Sequence, residues 1–197
     1  MIDNKPSRRY TVFIKQSQIS AVTRKTILDA ASKVIIEKGA KAFTLDAVIQ
    51  EAQISKGGLL YHFPTKKRLI EAMIERLIAS VDAVLKEELT KNNNTYLTAY
   101  IRASFRPSPE HERISMALFA AVANEPELIQ PLRERFARMQ NELVAAAESP
   151  EMATIIRLTL DGLWMSDLFD FAPPSVELRE KMMHTLLKIA NPQVNPK

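Results

Sequence analysis

The chain has 197 residues, 46% hydrophobic and 25% charged, with no cysteine, four glycines and a net charge of +4. This composition excludes wholesale disorder, disulfides and thiolate chemistry, and the scarcity of glycine and of strand-like alternation predicts an all-α chain. The charge is uneven: residues 1–69 hold 13 Lys/Arg against 5 Asp/Glu, and residues 70–197 hold 14 against 18. A basic first third suited to a polyanion is therefore joined to an acidic remainder.

Residues 1–20 read as a basic, poorly ordered arm. Ser7-Arg8-Arg9 resembles a twin-arginine export signal, but the apolar stretch behind it ends at Lys15 and no small-residue cleavage site follows, so export is not expected. The longest uncharged run, Ile114 to Asn124, is too short to span a bilayer. A cytoplasmic, nucleoid-associated protein without a membrane partner is expected.

The first helix is predicted from about Thr23 to Lys38, with Ile27, Ala31, Val34 and Ile35 on its apolar face and Gly39 as its stop. The second has Thr44 as N-cap and Asp46 in its first turn. Leu45, Val48, Ile49 and Ala52 then recur at helical spacing. Ser55 caps a third helix, which must stop by Phe63 because Pro64 disfavours helical geometry in the residue before it. Thr65 starts a long fourth helix whose apolar residues (Ile70, Met73, Ile74, Leu77, Val81, Val84, Leu85) keep the period to about Lys91, where Asn92-Asn93-Asn94 ends it. A domain boundary is placed inside this helix, without a flexible linker, dividing 21–68 from 69–190 and leaving 191–197 as a tail. Further helices are predicted at about 95–105, 111–124, 127–147, 151–170 and 175–190, punctuated by prolines that include Pro107. Pro131, five residues past Pro126, requires the third of these either to kink or to begin later.

Two short helices joined by Gln53-Ile54-Ser55 fit a helix-turn-helix at about 43–63. The second helix of such a motif enters the major groove by its N-terminal end. Ser55 and Lys56 lie there, where free N–H groups and the helix dipole favour phosphate. Gly57 and Gly58 remove side chains that would hold the backbone off DNA, although glycine pairs more often mark plain turns. Leu59 and Phe63 point inward, which leaves Leu60, Tyr61 and His62 on or near the outer surface. Leu60 suits a thymine methyl group, and Tyr61 and His62 can donate to phosphate. Lys66, Arg24 and Lys25, at the starts of helices four and one, can pair with the DNA backbone.

These residues resemble the N-terminal domain of TetR-type (tetracycline-repressor-like) transcriptional regulators over about Arg24 to Leu77. Gly39 ends helix one, Thr44 caps helix two, Ile54-Ser55-Lys56-Gly57 makes the turn and Tyr61-His62-Phe63 closes helix three. The resemblance implies a three-helix DNA-binding domain joined by a fourth helix to a helical regulatory domain. It places Thr44, Ser55, Lys56, Gly57, Tyr61, His62 and Lys66 at DNA-contacting positions. Gln53, where glycine is common, and Leu60, where an aromatic is common, depart from the family pattern.

In the regulatory half, the stretch 151–170 is apolar nearly all round. Ile155, Leu158, Gly162 and Phe169 lie on one side, and Ile156, Leu160, Leu163 and Phe171 nearer another, so burial on two sides is expected. The resemblance implies a homodimer through about 151–170 and 175–190, with Met182, Leu186 and Ile189 contributing a stripe, and a palindromic double-stranded operator. Candidate residues for an effector pocket are Arg102, Phe105, Met116, Phe119, Asp161, Trp164 and Met165. Asp161 and Trp164 suit a cation and Arg102 an anion, though such residues at helical spacing are more often core. His62, His111 and His184 are far apart in sequence, with no metal-ligand spacing, phosphate loop or nucleophile elbow. No enzyme, cofactor or metal site is expected. The function read from the sequence is a ligand-responsive repressor, with a constitutive or architectural DNA-binding protein as the alternative.

Overall fold

A computed structural model describes residues 8–91, 95–106, 108–123 and 125–191, apart from the side chains of 8–22. Residues 1–7 of the expected arm, Pro107, the asparagine run 92–94 and residues 192–197 of the expected tail lie outside the described residues. Among those described, the regular elements are nine α-helices and one short 3-10 turn. The chain divides into two compact units, Met1–Met73 and Ile74–Lys197.

In the first unit, α1 (Arg8–Ala42) begins well before the predicted Thr23, so the backbone of 8–20 is helical where a loose arm is expected. Its regular course breaks at Gly39, with φ 77° and ψ 170°. A side chain strains such a backbone and glycine does not, which is why the predicted stop falls there. α2 (Leu45–Ala52) and α3 (Lys56–His62) follow, and α2 packs on both α1 and α3. Ile27, Ile35, Phe43, Val48 and Leu59 are completely buried, Phe63 nearly so, and Leu69 and Ile70 of α4 (Lys66–Leu89) are also fully buried. Each such side chain contributes about 1.5–3 kcal/mol by leaving water.

The second unit holds the rest of α4 and α5 (Tyr96–Ser104), α6 (Pro109–Val122), α7 (Gln130–Ala145), α8 (Pro150–Phe169) and α9 (Val176–Ala190). α8 is central, packing on α5, α6, α7 and α9. Its Ala153, Ile156, Leu160 and Leu163 join Ile101, Leu143 and Leu186 in the core. The helix predicted at 127–147 begins late rather than kinking: Pro126–Ile129 forms the 3-10 turn, and α7 starts at Gln130 with Pro131 in its first turn. Proline is tolerated there because the first N–H groups of a helix have no intrahelical partner.

Two expectations for this unit need correction. Phe171 lies beyond the end of α8 and is 69% exposed, because Asp170 turns the chain out of the helix with φ 54° and ψ 39°. Leu186 is buried and Met182 packs against the same core, so they do not form an outward stripe with the exposed Ile189. Residues 182 and 186 are one turn apart and share the face that α9 gives to its own unit.

Candidate functional site

The motif is built by its caps. Thr44 Oγ1 accepts from the Ala47 N–H at 3.1 Å, Ser55 Oγ from the Gly58 N–H at 3.1 Å, and Thr65 Oγ1 from the Arg68 N–H at 3.1 Å. Each cap uses the hydroxyl as an acceptor, so the O–H of exposed Thr44 and Ser55 stays available to donate outward. Between α2 and α3, Gln53 adopts φ 54° and ψ 44°. Its N–H reaches Gln50 O at 3.3 Å, and the Ile54 N–H reaches Ile49 O at 3.3 Å. This double closure is the Schellman ending, normally made with glycine, and here glutamine holds the left-handed position.

The two glycines of α3 differ. A Cβ on Gly58 would lie 3.3 Å from Ser55 Oγ, against the cap itself. A Cβ on Gly57 would meet nothing within 4 Å, and Gly57 is exposed. Nothing within the protein therefore requires glycine at 57.

Along α3, Leu59 is buried, Leu60 and His62 are half-buried, and Tyr61 is 79% exposed. Leu60 is thus partly committed to its own unit rather than fully outward. Tyr61 and His62 rings meet edge-on with centroids 5.0 Å apart. Lys25 and Lys56 are exposed. Arg24 and Lys66 are exposed too, but each lies over a ring, Arg24 over Phe63 and Lys66 over Phe43. The sequence reading took Phe63 only as an inward residue at the end of helix three and did not single out Phe43; their position at the two ends of the motif is the signal that could have flagged them.

Of the regulatory candidates, the structure brings Phe119 and Trp164 together, with ring centroids 6.0 Å apart. Phe105 packs against the core of the second unit, while Arg102, Met116 and Met165 are exposed. Asp161 is already engaged: Arg157 Nη1 donates to Oδ2 at 2.5 Å and the Tyr100 hydroxyl to Oδ1 at 3.5 Å. Arg157 also donates to Gln140 Oε1 at 2.5 Å, and Gln140 to Thr154 Oγ1 at 2.8 Å. Half-burial pushes the Asp161 carboxyl above its ordinary range and outweighs the opposing pull of Arg157. Burial, reinforced by Asp161, also raises the Tyr100 phenol. The Arg157–Asp161 pair was legible as an i,i+4 spacing and was missed.

Residues 27–73 match the family described as bacterial regulatory proteins, tetR family, and residues 94–191 match the tetracyclin repressor-like C-terminal domain. The chain belongs to the TetR family. It is a DNA-binding transcriptional regulator, and its helix-turn-helix is the DNA-binding element. Among similar proteins is the HTH-type transcriptional regulator BetI of Rhizobium meliloti, 26% identical over 168 residues, spanning 79% of this chain and 83% of that one. A TetR-family structure from Streptomyces coelicolor A3 has TM-score 0.68 at 22% identity, covering 83% of this chain and 97% of the other. The multidrug binding protein EbrR complexed with malachite green has TM-score 0.66 at 22% identity, covering 85% and 97%. Among the described residues no group of His, Cys, Asp and Glu could hold a metal ion, and no helix is long and apolar enough to cross a membrane.

Proposed function

We propose that this TetR-family regulator is a homodimeric repressor of a palindromic operator, released by a small-molecule effector. The observation that carries the reading is the division of α8. Ala153, Ile156, Leu160, Leu163 and Leu168 are buried, whereas Met152, Ile155, Leu158, Met165 and Phe169 are exposed. Exposed Gly162 sits in the same stripe with open space before its Cα. Large apolar side chains at helical spacing, with a glycine that permits close approach, suit a second copy of α8. Val176 and Leu178 of α9, also exposed, extend the surface. Two-fold symmetry then sets the recognition helices about 34 Å apart, one turn of DNA.

At each half-site α3 enters the major groove. Lys56, the free N–H groups of the first turn and the outward hydroxyls of Thr44 and Ser55 hold phosphates, with Arg24, Lys25 and Lys66 alongside. Open Gly57 lets the backbone approach, Tyr61 and His62 contact the strand, and the exposed part of Leu60 meets a thymine methyl group.

For the effector, the Phe119–Trp164 pair and the half-buried Asp161 favour an aromatic cation, a class to which the malachite green bound by EbrR belongs. Such a ligand competes with Arg157 for Asp161. It shifts DNA affinity only as far as it binds one arrangement better than the other. A second reading, constitutive DNA binding without an effector, is favoured by the same Arg157–Asp161 pair, which leaves Asp161 satisfied from within. Trp164 is the chain's single tryptophan and so reports on its own surroundings. Titration with malachite green is expected to quench its fluorescence saturably and to release DNA fragments selected from a genomic pool. Fragments retained at saturating dye, with unchanged fluorescence, would favour the constitutive reading.

A further inference from the structure

The guanidinium carbon of Arg24 lies 5.4 Å from the centroid of the Phe63 ring, and Nζ of Lys66 lies 5.5 Å from that of Phe43. Both rings are buried and both cations are exposed. Phe43 directly precedes the cap Thr44, and Phe63 directly follows α3, so the rings bracket the helix-turn-helix in sequence. A ring face attracts a cation through its quadrupole, yet neither cancels its charge nor occupies most of its N–H donors. A carboxylate does both. Lys33 and Arg68 of the same unit are held in that second way, by Glu51 at 2.6 Å and Glu71 at 3.0 Å. Arg24 and Lys66 therefore keep their charge and donors for something outside the protein, while a rigid ring limits where they can go. A long side chain restrained in advance loses less freedom when it binds.

We propose that Phe63 and Phe43 are positioning residues for DNA binding, whose buried rings seat Arg24 and Lys66 as two preorganised phosphate contacts. This rests on the phosphate roles given to Arg24 and Lys66 above. Phosphate contacts are indifferent to base sequence, so a mixed-sequence duplex at low salt is the probe. Wild type is compared with Phe63→Leu, Arg24→Gln and the double variant, and a parallel set uses Phe43→Leu and Lys66→Gln. Phe63→Leu alone is expected to weaken binding about two- to fivefold, and to have no further effect once Arg24 is glutamine. Arg24→Gln lowers the salt dependence of affinity, whereas Phe63→Leu leaves it unchanged because the charge is still present. If circular dichroism shows that Phe63→Leu is not fully folded, Phe63→Met takes its place, removing the ring face at similar volume. An equal loss with and without Arg24, or no loss at all, overturns the seat. If Arg24→Gln itself changes neither affinity nor salt dependence, the phosphate role fails and the seat fails with it.

Discussion

Among the described side chains of the first unit, the large apolar ones of α1, α2 and α3 are buried or half-buried except Tyr61, which carries a hydroxyl. In the second unit α8 and α9 leave Ile155, Leu158, Met165, Phe169, Val176 and Leu178 in contact with water. The first surface, with its exposed cations and capped helix starts, is comfortable in water and loses little by waiting for a polyanion. The second is not, since each of these partly exposed apolar side chains forgoes a share of the roughly 1.5–3 kcal/mol that full burial gives. Under the proposed function, the difference fits two kinds of partner: an intermittent one for the basic unit and a standing one for α8 and α9.

The comparison breaks most sharply at α8. Ile155→Glu with Leu158→Glu adds two carboxylates to a stripe that a second copy would desolvate, at several kcal/mol each. The dissociation constant of the dimer is expected to rise at least about 10³-fold, read by sedimentation equilibrium. The fold should stay intact, because both positions already face water. Unchanged mass would exclude α8 as the interface.

Next comes the basic surface. Lys56→Ala with Tyr61→Ala removes one charge-assisted contact and one aromatic donor from each recognition helix. At about 1.5 kcal/mol or more for a charge-assisted hydrogen bond, affinity for selected DNA should fall roughly 100-fold or more while the dimer survives. A dimer that binds as before would show that α3 does not face the groove by this side.

Most of the first unit was legible because its signals are local. A cap hydroxyl, a glycine stop and a proline after Phe63 each act within a few residues: α2 and α3 start just after their caps Thr44 and Ser55, and α3 ends at His62 before Phe63 and Pro64. The two apolar sides of α8 were legible for the same reason, from period alone, but not that the side of Ile155 and Leu158 lies exposed on this chain. What escaped the sequence was long-range pairing. That Arg24 meets Phe63 and Lys66 meets Phe43 depends on how α1 and α4 return to the motif, and Tyr100 is 61 positions from the Asp161 it touches. Periodicity also left open which of two apolar faces is covered by the chain itself, so Leu186 was placed outward although it is core.

The smallest effects sharpen the comparison within the motif itself, at two neighbouring backbone positions. Gly57 is helical, exposed and unobstructed, so Gly57→Ala should stabilise the protein by up to about 1 kcal/mol while weakening DNA binding, since the methyl group points where only an outside partner could be. Gln53 is the reverse case. Its left-handed backbone, φ 54°, is strained for glutamine, so Gln53→Gly should also stabilise, by roughly 1 kcal/mol less the extra freedom glycine has when unfolded. It should leave DNA affinity alone, because the relieved strain lies in the turn rather than at the groove. Urea unfolding and duplex binding on the two variants separate them: wild-type DNA affinity in Gly57→Ala would mean that the glycine at 57 does not serve close approach. A loss in Gln53→Gly would mean that the turn also controls how α3 meets DNA.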